Sequence, residues 1–327
     1  MSPSPGLAAA RHEVLRNAGW DVETRGLIGA PFVHVVVSQE AHATIFASLR
    51  LLGLGVPDEA HRVPSDDQGR MNAEALAALL AQLPSGPTIV CAQAGNVNTG
   101  AFDPLPAIAA ACERRGAWLH VDGAFGLWAA AVPSLRPLVA GVALADSWAV
   151  DAHKWLNVPY DCGIAICRHP AAHRASMTVN AAYLIPGDGD VRDGLDWVPE
   201  FSRRARGIAA YAALRTLGRS GVEELIERTC RLARRFANQL AAHDGIRVLN
   251  DVVLNQVLVR FEAGDAQRAD ARTRAVIAAV QNDGTAWLSG TTWHDMAAMR
   301  ISVSNWSTTE SDVGRTVDAI LRAAQQH

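Results

Sequence analysis

A lysine stands among apolar residues in the segment ADSWAVDAHKWLNVPYDCG (Ala145–Gly163). Lys154 follows a run typical of a buried strand, so we expect it at the carboxyl edge of a sheet, where open α/β sheets bind ligands. An amine partly removed from water there can act as a nucleophile toward carbonyl groups. A lysine whose stem packs on apolar surface while its amine reaches water is an equally consistent interpretation.

An aspartate ends the apolar segment WLHVD and is followed by small residues. Asp122 would be costly to bury unless a cation or good hydrogen-bond donors meet it. A pyridinium N–H would be such a partner, and capping of a following helix is the alternative interpretation. The small residues Gly123, Ala124 and Gly126 would let a flat ring approach the backbone.

Two further polar segments follow predicted strands. His42 opens a helical pattern in SQEAHATIFASL, where an imidazole can stack on an aromatic ligand, although this segment alone favours a partly buried polar residue. The segment AQAGNVNTGAFDP (Ala92–Pro104) places Asn96 and Asn98 in a tight polar loop. These amides could donate hydrogen bonds to a ring substituent or a carboxylate, and an ordinary turn explains the same composition.

The elements that must position these residues alternate along the first half of the chain. Short apolar segments predict strands buried on both faces, and the amphipathic segments between them predict helices. Such alternation is typical of a mainly parallel α/β sheet with right-handed crossovers. The strands are predicted over Phe32–Val37, Pro87–Gln93, Ala117–Asp122, Ala145–Val150 and Gly163–Arg168, and the helices over Ala41–Leu52, Asn72–Leu83 and Pro104–Arg115.

The pattern changes near Ile185–Trp197, which contains the polar, glycine-rich stretch PGDGDVRDG. We therefore predict a large α/β domain over residues 1–190, and long linking helices with a smaller α+β domain over residues 191–327. The second part contains helical patterns at Ser202–Leu217, Val222–Ala242, Ala269–Asn282 and Thr309–Gln325, and strand patterns at Val253–Phe261, TAWLSG and AMRISVS.

The composition argues against several classes of protein. The 327 residues are 49% hydrophobic and carry a formal net charge of −3, which gives no electrostatic case for binding nucleic acid or an anionic membrane. The sequence has no apolar run of transmembrane length, and its first residues lack the pattern of a signal peptide. The five cysteines include no C-x-x-C pair, which favours reduced thiols and a cytoplasmic location.

The order of His42, an asparagine-rich loop, HVD and HK, each at a predicted strand end, resembles the group II pyridoxal-5′-phosphate-dependent decarboxylases. That family includes the aromatic L-amino-acid, histidine and glutamate decarboxylases. The resemblance continues in NAAYL, in DWVPEFSRRARGIAAYAALRTLGRSG and in DGTAWLSGTTWHDMAAMRISVSNWSTTESDV. It implies the aspartate aminotransferase-like fold (fold type I), with a mainly parallel, seven-stranded-type sheet in the large domain and a smaller α+β C-terminal domain.

The resemblance also implies an enzyme that decarboxylates an L-amino acid to the amine and carbon dioxide. Lys154 would form a Schiff base with pyridoxal 5′-phosphate, Asp122 would pair with the pyridine nitrogen, and His42 would stack on the ring. The alternatives are another fold type I enzyme, such as an aminotransferase, aldolase or lyase, and a truncated non-catalytic homologue. The sequence does not identify the substrate amino acid.

Four more residues would bind the cofactor by the same resemblance. Ala124 would pack on the ring face opposite His42, and His153 would contact the cofactor beside the lysine. Asn96 occupies a position near the ring hydroxyl. Ser202 would reach the phosphate of the partner subunit's cofactor, which implies a homodimer with the site at its interface.

Three features depart from the family pattern. The segment MSPSP stands where a phosphate-binding loop is expected, so we expect an N-terminally shortened chain. The segment LIPGDGDVRDGLDW contains no tyrosine, whereas animal aromatic decarboxylases protonate the substrate carbon with a mobile-loop tyrosine; Tyr183 precedes the segment and is interpreted as a scaffold residue. Asp151 stands where relatives often have asparagine or serine, and would repel a phosphate unless protonated or turned away.

Overall fold

The computed structural model of the chain describes residues 3–179, 192–200 and 202–327. Within these ranges the chain forms two sheets, one in its N-terminal half and one in its C-terminal third. The predicted domain boundary between residues 190 and 191 lies outside the described residues, as do the segment NAAYL and Tyr183.

The first sheet has six strands within the described residues. All five strands predicted in this half of the chain are present, whereas a sixth strand of two residues is too short to produce a pattern. In chain order the strands are β1 (His34–Ser38), β2 (Arg62–Val63), β3 (Thr88–Gln93), β4 (Trp118–Asp122), β5 (Ser147–Asp151) and β6 (Gly163–Cys167).

The spatial order of this sheet is β2-β1-β3-β4-β5-β6, and only β6 runs antiparallel to its neighbour. Every residue of β3 and β4 is buried, which explains why these segments are continuously apolar. Residues 152–162 contain no helix that could return the chain for parallel pairing, so β6 is antiparallel to β5. The predicted α/β class with a mainly parallel sheet is confirmed, with one strand fewer than the seven-stranded type among the described residues.

Helices cover both faces of this sheet. On one face α1 packs against α3 and α6, and on the other α4 packs against α5, so each face has its own apolar core. Proline and small polar residues begin several of these helices; Asn72, for example, accepts a hydrogen bond from the N–H of Ala75. The helices are α1 (Pro3–Asn17), α2 (Val22–Arg25), α3 (Ala43–Leu51), α4 (Ala73–Gln82), α5 (Leu105–Arg115) and α6 (Pro170–Met177).

A long helical segment, α7 (Arg206–Ala241), follows the N-terminal part of the chain. The two helices predicted in this region are both present within it and meet at Gly218, whose φ of 62° and ψ of −175° are not helical and are tolerated because glycine has no Cβ. The helix begins at Arg206, so Ser202 lies before it rather than in its first turn.

The second sheet is antiparallel, with the order β7-β8-β10-β9. The C-terminal half of α7 and two further amphipathic helices cover one of its faces and enclose a separate apolar core, an arrangement typical of an α+β fold. The elements are β7 (Ile246–Val248), β8 (Gln256–Phe261), α8 (Ala266–Asp283), β9 (Ser289–Trp293), β10 (Met296–Ser302) and α9 (Glu310–Gln326).

Candidate active site

A cavity of about 450 Å³ opens at the carboxyl edge of the parallel sheet, where this edge faces the second sheet. It lies at the ends of β1, β3, β4 and β5, which is where ligands bind in open α/β sheets. The structure brings five of the seven predicted site residues together in its wall. These residues are His42, Asp122, Ala124, His153 and Lys154.

Lys154 lies on the turn after β5, and its Nζ is 2.9 Å from Oδ2 of Asp151. The Lys154 side chain is 36% exposed and that of Asp151 is 10% exposed, so the amine is partly removed from water and held by an ion pair. The Nε2 of His153 is 3.8 Å from the same oxygen. This geometry favours a pocket lysine over one that reaches out to bulk water. Lys154 is also the only lysine in the sequence, and this feature could have singled it out independently of the strand pattern.

Asp122 is the last residue of β4 and its carboxyl group is buried at the base of the cavity. Burial raises the pKa of this carboxyl to about 6, although the nearby Lys154 charge acts in the opposite direction. Within the described residues it accepts one hydrogen bond, 3.2 Å from the N–H of Ala124. A buried carboxylate with so little compensation is suited to a cation or an N–H donor inside the cavity.

His42 is the N-cap of α3. Its Nδ1 accepts a hydrogen bond from the N–H of Thr44 at 3.3 Å and lies 2.8 Å from the Thr44 hydroxyl. Burial lowers the pKa of His42, and the charges of Lys154 and Arg300 add to this effect. The ring is therefore fixed in orientation, and the lowered pKa favours its neutral form.

The structure does not bring Asn96 or Ser202 into the wall of the cavity. The Oδ1 of Asn96 accepts hydrogen bonds from the N–H groups of Asn98 and Thr99, so its side chain stabilises the loop after β3. Ser202 is exposed ahead of α7. The roles predicted for these two residues, near the ring hydroxyl and at a partner's phosphate, stay predictions.

The second sheet contributes residues that the sequence pattern did not single out. Arg300 on β10 lines the cavity, and its Nε is buried without a hydrogen-bond partner among the described residues. Burial lowers the pKa of its guanidinium, and none of the described carboxylates forms an ion pair with it. An arginine within the apolar strand AMRISVS is the signal that could have identified it. The other wall residues from this part of the chain are Asn255, Gln256, Ser302, Ser304 and Asn305.

Other classes of site find no support in the described ranges. No group of three or more histidine, cysteine, aspartate or glutamate side chains is placed to hold a metal ion there. None of the helices in these ranges has the length and apolar character needed to cross a membrane. The arrangement instead combines an amine, a buried carboxylate and a neutral imidazole around one cavity.

Comparisons with known proteins identify a family that this chain matches. Residues 6–262 match the model of the pyridoxal-dependent decarboxylase conserved domain. Tryptophan decarboxylase 1 of Oryza sativa subsp. japonica is 29% identical over 313 residues, which cover 91% of this chain and 60% of that protein. L-2,4-diaminobutyrate decarboxylase of Rhizobium meliloti (strain 1021) is 30% identical over 299 residues, covering 89% of this chain and 60% of that protein.

A solved structure is similar over almost the whole chain. The crystal structure of Oryza sativa TDC with PLP and tryptamine superposes with a TM-score of 0.89 at 26% identity, covering 99% of this chain and 68% of that one. The chain therefore spans about three fifths of the length of the two curated relatives described above.

Proposed function

The chain belongs to the pyridoxal-dependent decarboxylase family, and from this premise we propose that it converts an L-amino acid to the amine and carbon dioxide. Family membership confirms the predicted fold type I, and pyridoxal 5′-phosphate is the cofactor of the family. The observation that carries the proposal is the meeting of Lys154, Asp122 and His42 in one cavity.

The residues of the cavity fit a pyridoxal ring. The buried Asp122 carboxylate, with one hydrogen bond from the described residues, suits a ring N–H. The neutral His42 suits stacking on one face, and the methyl group of Ala124 leaves room at the other. When bound, the cofactor supplies an electron sink for the electron pair left on the substrate when carbon dioxide departs.

Three charged side chains in and beside the cavity would have separate roles in the reaction. The Nζ of Lys154 would hold the cofactor covalently and exchange places with the substrate's amine. Asp151, 2.9 Å away, would orient this amine and stabilise its charged form whenever it is released. Asp122 would keep the ring nitrogen protonated, which is the charge state that withdraws electrons most strongly.

Arg300 is our candidate for binding a carboxylate of the substrate. Its half-buried guanidinium lines the cavity and has no acidic partner among the described residues, so an incoming carboxylate would relieve an uncompensated charge. The neutral groups beside it are ordered; the Ser302 hydroxyl, for example, donates to Oε1 of Gln256 at 2.6 Å. These groups would position the substrate without adding a net charge.

A homodimer is part of the proposal. Ser202 is exposed and outside the cavity of its own chain, so a role at a cofactor phosphate requires a second copy. His153 would contact the cofactor beside Lys154, and Asn96 would lie near the ring hydroxyl, with its Nδ2 buried and without a hydrogen-bond partner among the described residues. We keep the domain division at residues 1–190 and 191–327, because the first sheet ends at Cys167 and the second begins at Ile246.

We also propose a cytoplasmic location. All five cysteines are free, and four of them are buried. Burial raises the pKa of Cys112 and Cys230 to about 12, so these thiols behave as small apolar groups rather than as reactive ones. This cysteine usage is typical of a reducing compartment.

The test of this function is a product analysis with the purified protein and pyridoxal phosphate. Aromatic, acidic and basic L-amino acids are supplied, and carbon dioxide and amine are both quantified. We expect equal amounts of carbon dioxide and amine from at least one class. Keto acids without carbon dioxide would identify an aminotransferase, and bound cofactor without any turnover would identify a non-catalytic homologue; either result would overturn the proposal.

A further inference from the structure

We propose that Tyr160 is the acid that delivers a proton to the substrate's α-carbon after carbon dioxide leaves. The inference rests on the proposed decarboxylation and adds a residue for its last step. Tyr160 lies on the turn between β5 and β6, and its side chain lines the same cavity as Lys154. Of the three tyrosines in the sequence, Tyr183 lies outside the described residues and Tyr211 lies on α7, outside the cavity wall.

The ring of Tyr160 is held against the residue that precedes the lysine. Its centroid is 4.4 Å from that of the His153 imidazole, with 40° between the two planes. His153 is itself fixed, because its Nδ1 lies 2.9 Å from the carbonyl oxygen and 3.1 Å from the backbone nitrogen of Cys162. The phenol is therefore packed on a fixed imidazole next to Lys154.

Two arginines hold the backbone at this position. Arg206 donates to both carboxylate oxygens of Asp161, at 2.9 and 3.0 Å. Arg204 donates to the carbonyl oxygens of Tyr160 and Asp161. Bidentate, charge-assisted hydrogen bonds of this kind fix geometry well. They anchor the turn from the start of α7, so the tyrosine is presented at the cavity by a supported segment.

Two other ionisable groups in the cavity have partners among the described residues. The Nδ1 of His42 accepts from Thr44, and the amine of Lys154 is paired with Asp151. The Arg300 guanidinium is a poor proton donor for catalysis because arginine stays protonated in proteins. The hydroxyl of Tyr160, by contrast, has no hydrogen-bond partner among the described residues, and the residue is 72% exposed.

The proposed step balances without another reactant. When the bond between the α-carbon and the carboxylate carbon breaks, its electron pair stays with the α-carbon side of the substrate. A new C–H bond forms as the O–H bond of Tyr160 breaks, which leaves a phenolate. The exposed phenolate then regains its proton from water. A proton relay of this type contributes typically about 10²–10⁴-fold to a rate.

The test compares Tyr160→Phe with Tyr211→Phe as the matched control, because Tyr211 is also exposed but lies outside the cavity wall. For Tyr160→Phe we expect kcat to fall about 10²-fold with little change in KM. The amine should also fall below the carbon dioxide released, because a proton taken up on the cofactor instead leads, after hydrolysis, to a carbonyl compound. Tyr211→Phe should match the wild type in all three measurements.

Two outcomes would overturn the inference. An unchanged kcat would exclude Tyr160 as the donor, and a lower kcat with amine still equal to carbon dioxide would indicate a structural role. If Tyr160→Phe loses the visible absorption of bound cofactor, the yields of amine and carbon dioxide are measured with Tyr160→His instead. An imidazole can donate a proton, so this variant should give equal yields, and unequal yields would contradict the inference. Failure of the wild type to release carbon dioxide would refute the proposed function itself and is seen before any variant is made.

Discussion

Asp122 and Lys154 place opposite charges in one cavity, but the two side chains differ in burial and in their hydrogen-bond partners. The lysine is partly exposed and has a carboxylate partner at 2.9 Å, whereas the aspartate is buried with one backbone hydrogen bond among the described residues. The pKa of Asp122 is raised to about 6, and burial is the main cause. Without a ligand, the ionised aspartate therefore destabilises the folded state. A protonated ring nitrogen that pairs with it would remove this destabilisation, which favours binding of the cofactor.

Asp122→Asn should stabilise the cofactor-free protein at neutral and higher pH. Between the ordinary pKa of 3.8 and about 6, the folded wild type keeps a proton that the unfolded chain releases, so its stability falls as pH rises through this window. Asparagine does not titrate, and the variant should exceed the wild type by about 1–3 kcal/mol above the window and lose this advantage below it. Decarboxylation should nevertheless drop sharply.

Denaturant unfolding of the cofactor-free proteins across this pH range measures the difference. Asp103, whose pKa burial also raises to about 6, is present in both proteins, so the comparison isolates Asp122. A variant that is less stable than the wild type above the window would contradict the assigned electrostatics.

Individual site residues can be predicted from the sequence where a reactive side chain also follows a predicted strand. Lys154, Asp122 and His42 each follow a strand of a parallel sheet, so their meeting follows from the strand pattern. Arg300 could not be placed in the same way, because it comes from a different sheet more than a hundred residues later. The side-chain type of Asn96 alone does not show that its Oδ1 accepts hydrogen bonds from its own loop, so this contact could not be predicted from the sequence.

The loops after β3 and β4 form the floor of the cavity by direct backbone contact. A Cβ on Gly126 would lie 2.1 Å from the carbonyl oxygen of Ala94, and a Cβ on Gly95 would lie 2.9 Å from the Cα of Gly126. Such approaches leave no room for a side chain, so the two loops can meet only because both positions are glycine. The edge that holds Asp122 is therefore fixed by this contact.

Gly126→Ala should separate the two loops and lower the free energy of unfolding by about 1–3 kcal/mol, because the clash is with backbone that cannot rotate away. Cofactor affinity should fall with it. Gly314→Ala on α9 is the matched control, since a Cβ there meets nothing within 4 Å and should be neutral or slightly stabilising. Denaturant titration of both variants measures the effect; equal stability would show that the contact does not constrain the site.

Helices and strands could be predicted where the hydrophobic pattern extends over enough residues to show its period. The apolar strands and most amphipathic helices lie close to their predicted positions, with shifted ends. The two-residue β2 and the three-residue β7 carry too little pattern, and the antiparallel direction of β6 depends on the turn before it. The two predicted helices meet within α7 at Gly218, the first residue of the GRSG segment that was predicted to join them.

The two sheets are joined at the cavity through the asparagine-rich loop after β3. The Nδ2 of Asn250 donates to the carbonyl of Thr99 at 2.9 Å, and the Thr291 hydroxyl donates to Oδ1 of Asn98 at 3.0 Å. These hydrogen bonds hold the second sheet, which contains Arg300, close to the edge of the first sheet that is followed by Lys154. The sequence predicted both parts of the molecule, but the docking between them depends on contacts between residues far apart in the chain.

A hybrid dimer would test whether each site uses residues from two copies. One subunit carries Lys154→Arg and the other Ser202→Asp, which would place a negative charge against a phosphate. If Ser202 acts in the partner's site, the hybrid has one intact site and about half of the wild-type activity, by the twofold symmetry of such a dimer. A dimer of Lys154→Arg with wild type is the control, and an inactive hybrid would place Ser202 in its own subunit's site.

The most direct test of the account is chemical trapping at Lys154. Reduction of the protein with borohydride in the presence of pyridoxal phosphate, followed by peptide mass analysis, should find one adduct per chain, on the peptide that contains this residue. Because Lys154 is the only lysine in the sequence, Lys154→Arg preserves the positive charge beside Asp151 but removes every lysine amine. We predict that the variant folds, lacks the adduct and lacks the visible absorption of bound cofactor. A folded wild-type protein that carries no adduct on Lys154 at saturating cofactor would contradict the assignment of this cavity as a pyridoxal phosphate site.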